Sequence, residues 1–166
     1  MKNFTTFSHK ETQNLARLFA ETIHTKTLLC LSGDLGSGKT TFTQGMLEFF
    51  GAEPPYTSPT FSLIKEYPLP EIKNGISSLY HIDTYRITSS DILSLGWEEL
   101  LQKPQTLILL EWPENVSEYI PKTALFLSFS HPQNPHDKDT RFITLPNNLP
   151  KDIASTTNDS PLHHSL

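Results

Sequence analysis

Gly33-Asp34-Leu35-Gly36-Ser37-Gly38-Lys39-Thr40 fits the pattern G-x-x-x-x-G-K-[ST], and its flanks decide how it is read. Just before it, Lys26 to Ser32 (KTLLCLS) is an apolar run too short for a helix and is read as a buried strand. Just after it, Phe42, Met46, Leu47 and Phe50 recur at helical spacing until Gly51 stops the pattern. Strand, glycine loop and helix form the setting in which this motif grips phosphate. The glycines let the backbone curl so that successive N–H groups converge on anionic oxygens, and the helix adds its positive N-terminal end. Lys39 is then placed to reach the outer phosphates and the Thr40 hydroxyl to ligate Mg²⁺, while Leu35 can turn its side chain away. A chance match in a chain of this length has a probability of roughly half a percent, so the stretch is read as a nucleotide site.

Working outward, Ser8 fits the cap of a first helix with Glu11 reaching back, followed by Leu15, Leu18, Phe19, Thr22 and Ile23 at helical spacing. Pro54, Pro55 and Pro59 make 52–60 a loop. Phe61 to Tyr67 and Ile76 to Ile82 read as strands around a Pro/Gly-containing connection. Ser89 or Ser90 is expected to cap a short helix through Leu95, ended by Gly96. Thr106 to Leu110 is a second continuous apolar run, Ala124 to Phe129 alternates as a half-buried strand, and Arg141 to Leu145 is its expected partner. This alternation predicts one α/β domain over 1–146. The polar stretch 147–166, ending PLHHSL, is expected to be a flexible tail.

Binding phosphate is not hydrolysing it: turnover also needs a metal-holding acid and a means of positioning water. Two carboxylates end apolar runs, Glu111 in TLILLE and Asp83 in SLYHID. The carboxyl edge of an open α/β sheet is where ligands bind, so Glu111 is read as the metal-linked acid, although periodicity alone does not settle which acid does which job. Asp83 is assigned to water activation or to an indirect contact with the metal. His81, on a half-buried strand, is read as packed and hydrogen-bonded rather than reactive. Arg86 is read as pairing with a carboxylate in preference to a phosphate. Thr60, after Ser58-Pro59, sits where a loop can sense the γ-phosphate or simply begin a strand. Trp97 and Trp112 are read as apolar anchors, Trp112 lying beside the metal acid.

Composition narrows the class further. The 166 residues are 36% hydrophobic and 19% charged, enough for a self-sufficient core. Nothing approaches the roughly 18 apolar residues of a membrane span, and MKNFTTFSHKET lacks a signal-peptide core, so no membrane role is expected. One cysteine, Cys30, builds neither a disulfide framework nor a cysteine-based zinc site, which points to a reducing compartment, the cytoplasm by default. A net charge of -5 with 13 basic residues argues against a broad nucleic-acid footprint, so any RNA role is expected to run through a partner.

The segments SGDLGSGKTTFTQG, TSPTFSLIKEY, LYHIDTYR, LGWEELL and LILLEWPE occur in that order over residues 32–114. Together they resemble the TsaE family of tRNA threonylcarbamoyladenosine biosynthesis proteins, small bacterial P-loop ATPases, over Ser8 to about Leu145. The phosphate loop is common to many families; the combination of SPTF, HIDTYR and LEWPE is specific. The resemblance implies a P-loop NTPase fold, with a mostly parallel central sheet flanked by helices and some antiparallel strands. It implies ATP and Mg²⁺ as cofactors, with Gly33, Asp34, Leu35, Gly36, Ser37, Gly38, Lys39, Thr40 and Thr41 around the nucleotide and Ser8 as an outlying contact. Thr40 and Glu111 would hold the metal. Asp83, Lys39 and Thr60 would serve hydrolysis, Thr60 from a switch-like loop. The implied partners are TsaD and TsaB, which modify an adenosine of tRNA, the ATPase resetting or supporting them and reaching tRNA only indirectly. The histidine-containing, polar stretch after Asn147 departs from the family pattern, which gives it no role.

Rival readings fare less well. A small-molecule P-loop kinase commonly closes an arginine-bearing lid, and this chain has only Arg17, Arg86 and Arg141. A GTP switch commonly carries Asn-Lys-x-Asp, which is missing here. A regulatory subunit with negligible turnover differs from an ATPase only in rate.

Overall fold

The apolar run before the glycine loop becomes the hub of a seven-stranded sheet in the computed structural model, which describes residues 1–133 and 137–146. The expected tail, 147–166, lies outside the described residues. The strands are β1 (Lys2–Thr6), β2 (Thr27–Gly33), β3 (Ile64–Lys73), β4 (Ile76–Asp83), β5 (Thr106–Glu111), β6 (Leu125–Ser130) and β7 (Arg141–Leu145). The helices are α1 (His9–Ala20), α2 (Lys39–Phe50), α3 (Ser89–Ser94) and α4 (Trp97–Gln102), with a 3-10 segment over Pro113–Tyr119. Strand order is β1-β7-β6-β2-β5-β4-β3. The inner four, β6-β2-β5-β4, are parallel; β3 pairs antiparallel to β4 on one flank, and on the other β7 is antiparallel to both β6 and β1, so β1 again runs in the direction of the inner four. This is the expected P-loop NTPase architecture.

Parallel strands are covered on both faces, so their sequences are apolar without alternation. β5 is buried at every position. Leu29, Leu31, Leu79, Leu107 and Leu109 pack under α1 and α2 with Phe19, Phe42 and Met46. Leu28, Cys30, Tyr80, Ile82, Ile108 and Leu110 face the other way, against Ile92, Trp97, Leu100 and Val116. Ser8 caps α1 by accepting from the Glu11 amide at 3.2 Å. The Glu11 carboxylate reaches one residue further back than expected, to the Phe7 amide. Helix α2 enters through Gly38 and leaves through Gly51, both left-handed, with the Gly51 N–H returning to Glu48 and Leu47 carbonyls.

Three local expectations are corrected. The strand expected at Phe61–Tyr67 begins at Ile64 and runs through Pro68 and Pro70 to Lys73, so the connection to β4 is only the Asn74-Gly75 turn. Prolines lack the N–H that a ladder needs, but β3 is an edge strand and has no neighbour to donate to on its outer side. The short helix is capped by Thr88, not by Ser89 or Ser90, through a reciprocal bond pattern with Asp91. Gly96 both ends that turn and opens α4, which periodicity over so few residues did not reveal. Strand β1 was not expected at all.

Candidate nucleotide site

The register of the parallel strands sets the site. Leu31 of β2 pairs with Glu111 of β5, and Glu111 pairs with Asp83 of β4. The glycine loop leaving β2 therefore opens beside two carboxylates at the same sheet edge. Thr84 ties the two acid-bearing strand ends together, its hydroxyl donating to the carbonyls of Glu111 at 2.8 Å and Trp112 at 2.7 Å. The edge encloses a cavity of about 450 Å³ lined by Leu35–Thr41, Ser58, Thr60, Asp83, Tyr85, Arg86, Glu111, Trp112, His9 and Arg141.

Gly33 must be glycine here. Its φ is +143°, and a Cβ would sit 2.2 Å from the Phe129 carbonyl oxygen on β6. Gly36 and Gly38 also hold positive φ, which turns the loop back over the start of α2. Leu35 points out to solvent at 77% exposure, as expected. The Lys39 ammonium donates to the carbonyls of Gly33 at 2.6 Å and Asp34 at 3.0 Å and stands 4.0 Å over the Trp112 ring. Burial pushes the Lys39 pKa down, opposed by the nearby carboxylates of Glu111, Glu114, Asp83 and Asp34. Gly33 and Asp34 thus hold the lysine rather than line the cavity, and Thr41 lines it from the first turn of α2.

The Thr40 hydroxyl donates to Glu111, 3.0 Å from Oε1 and 3.3 Å from Oε2. A hydroxyl and a carboxylate converging beside a phosphate loop fit Mg²⁺, which takes few protein oxygens and completes its shell with phosphate and water. Among the described residues no three His, Cys, Asp or Glu side chains gather to hold a metal by themselves. Asp83 is held at both carboxylate oxygens. Oδ2 accepts from Thr60 at 2.8 Å and Ser58 at 3.4 Å, and Oδ1 accepts from the Tyr85 amide at 2.9 Å. Ser58 and Thr60 are themselves 2.7 Å apart, so one short loop is latched to the acid through two hydroxyls. Thr60 lies in the turn before β3, not at its start.

Other candidates settle differently. Arg86 lines the cavity with its guanidinium 5.0 Å from the Phe61 ring centroid, and among the described residues it makes no carboxylate pair. Ser8 serves as the α1 cap; its neighbour His9 lines the cavity instead. Trp97 packs in the core and donates to the Tyr119 carbonyl at 2.9 Å, whereas Trp112 borders the cavity with Tyr85 against it. His81 is buried and bonded to Glu111 at 2.8 Å. Sequence reasoning missed His9, Tyr85 and Arg141 as lining residues. Tyr85 lay within the HIDTYR segment and was open to notice, but Arg141 arrives from β7 and carried no local signal.

Sheet order, glycine loop and the pair of edge carboxylates define a phosphate-loop α/β protein of the P-loop NTPase fold. The model of the family described as threonylcarbamoyl adenosine biosynthesis protein TsaE matches residues 6–141, and the chain belongs to that family, which acts in tRNA threonylcarbamoyladenosine biosynthesis. The Rickettsia typhi protein of that name is 40% identical over 115 residues, 68% of this chain and 75% of its own. The Bacillus subtilis protein is 38% identical over 120 residues, 72% of each. The crystal structure of Bacillus subtilis YdiB superposes with a TM-score of 0.67 at 31% identity, covering 87% of this chain and 83% of that one. Among the described residues no helix is long and apolar enough to cross a membrane.

Proposed function

We propose that this protein binds Mg·ATP at the Gly33–Thr40 loop, hydrolyses it slowly alone, and uses that turnover to reset or support a TsaB–TsaD complex that modifies tRNA. The observation that carries the reading is the convergence of Lys39, Thr40, Glu111 and Asp83 on one cavity at the carboxyl edge of the parallel strands. In this reading backbone amides of the loop and Lys39 neutralise the outer phosphates, and Thr40 and Glu111 would hold Mg²⁺, which when bound would supply Lewis-acid stabilisation of phosphoryl charge. Asp83 orients the attacking water and takes its proton as the bond to the leaving ADP breaks, yielding ADP and phosphate. Thr60 and Ser58 report the γ-phosphate to the loop they sit on, because a ligand that competes for the Asp83 carboxylate shifts that loop between two arrangements.

The -5 net charge supports docking on a protein rather than on RNA, since phosphate neutralisation by Lys and Arg dominates RNA affinity. The work is proposed to take place in the cytoplasm. The test is capture of the tagged chain with TsaB–TsaD in ATP, in ADP and without nucleotide, together with mass spectrometry of digested tRNA from cells carrying Lys39→Ala or Asp83→Ala. ATP-dependent capture and loss of threonylcarbamoyladenosine are expected. Tight binding to free tRNA with no affinity for the protein pair, or unchanged modified adenosine in both mutants, overturns it.

A further inference from the structure

We propose that His81 is a positioning residue for the metal carboxylate: it pins one oxygen of Glu111 and leaves the other for Mg²⁺. The inference rests on the Mg·ATP reading of the site and adds to it a residue that never touches the nucleotide.

His81 lies on β4 between Leu79 and Asp83 on the same face, beside Leu109 of β5, and is 1% exposed. Its surroundings are those of a core leucine. Yet Nε2 stands 2.8 Å from Glu111 Oε1, and Nδ1 is buried with no partner among the described residues. The ring is thus held through Nε2 at the carboxylate, while Nδ1 remains a buried polar atom with no hydrogen bond among the described residues. Burying such an atom is costly, and a leucine in this place would avoid it. Among the described residues, the return for that cost is the bond to Glu111.

That bond has a specific geometric consequence. Oε1 receives both His81 and the shorter of the two contacts from Thr40, whereas among the described residues Oε2 is hydrogen-bonded by Thr40 alone, at 3.3 Å. The carboxylate is therefore held from behind, and its freedom to rotate about the last side-chain bond is removed before any cation arrives. Partners of this kind, which orient a metal ligand without touching the metal, commonly carry a ten- to hundredfold share of metal affinity, about the loss expected on removing one.

The experiment compares wild type, His81→Phe and His81→Gln in the full chain. Phenylalanine keeps an aromatic ring, slightly larger than imidazole, and removes the donor; glutamine returns an N–H at about the reach of Nε2. Nucleotide binding is measured by calorimetry against Mg²⁺ concentration, with ATP binding in EDTA and thermal unfolding as companions. His81→Phe and His81→Gln are both expected to remain folded by thermal unfolding, and His81→Phe to bind ATP unchanged in EDTA. Its half-saturating Mg²⁺ should rise about tenfold, and His81→Gln should recover most of that shift. Wild-type Mg²⁺ dependence in His81→Phe overturns the inference alone. So does an equal loss in both variants that follows their melting temperature, which marks a packing role. Absence of any Mg²⁺-dependent nucleotide binding in wild type overturns the Mg·ATP reading itself and this inference with it.

Discussion

Gly45→Ala tests how tightly the helix that carries the phosphate loop is held by its neighbour. Gly45 sits in the middle of α2, where glycine is normally a defect: alanine there would gain about 1 kcal/mol of helix propensity. The packing says otherwise. A Cβ on Gly45 would lie 2.5 Å from the Gln13 carbonyl oxygen and 2.8 Å from both the Gln13 Cα and the Ala16 Cβ of α1. Two of those atoms are backbone, so no side chain can rotate out of the way, and the two helices must separate. Overpacking of this kind costs roughly 1–3 kcal/mol, and contact with backbone argues for the upper end, about 3. Subtracting the propensity gain leaves a net loss of about 2 kcal/mol. For a domain of this size, about 2–4 °C per kcal/mol, Tm should fall by roughly 4–8 °C. Calorimetric or circular-dichroism melting of the two proteins reads the difference. A Tm equal to or above that of wild type would refute the reasoning, because it would mean that α1 and α2 separate at little cost.

The other expectations concern the site and the buried thiol. Lys39→Ala should abolish or sharply weaken ATP binding by calorimetry, since it deletes the one buried ammonium that, among the described residues, lines the candidate nucleotide cavity; wild-type affinity would sink the site assignment. Glu111→Ala should weaken the Mg²⁺ dependence of ATP binding, whereas Asp83→Ala should bind ATP nearly normally and turn it over slowly in a phosphate-release assay. A normal rate in Asp83→Ala would count against its role in hydrolysis. Burial pushes the Cys30 thiol from 9.0 up to about 12, so the folded protein keeps it protonated where the unfolded chain ionises it. This contribution to stability is whole below pH 9.0 and is lost as pH rises from there toward 12. A thiol reagent at pH 8 should accordingly react only as fast as the chain unfolds, and rapid labelling of the native protein would contradict the burial.

What the sequence alone could decide was whatever physics acts over a few adjacent residues. The phosphate loop was legible because a positive-φ turn, a converging set of amides and a helix start are all properties of one contiguous stretch, Gly33 to Thr40. Glu111 and Asp83 were legible because a parallel strand buried on both faces writes itself as an unbroken apolar run, and its last residue falls at the ligand edge. The capping role of Ser8 was local too. Distant pairings decided the rest. In β1, only Phe4 and Thr6 are buried, and the strand exists because Lys2 to Thr6 pair with Leu145 to Arg141 at the far end of the chain. The prolines of β3 read as a loop until the sheet order put that strand at an edge. His81 carried no sign of its partner: the 2.8 Å bond to Glu111 depends on how β4 and β5 lie side by side, and Leu109, not Glu111, is its register partner. Likewise the latch from Ser58 and Thr60 to Asp83, and the approach of Arg141 to Gly38, join segments separated by many residues. Such contacts require the ordering of long intervening chain, which only the cooperative burial of the whole core provides.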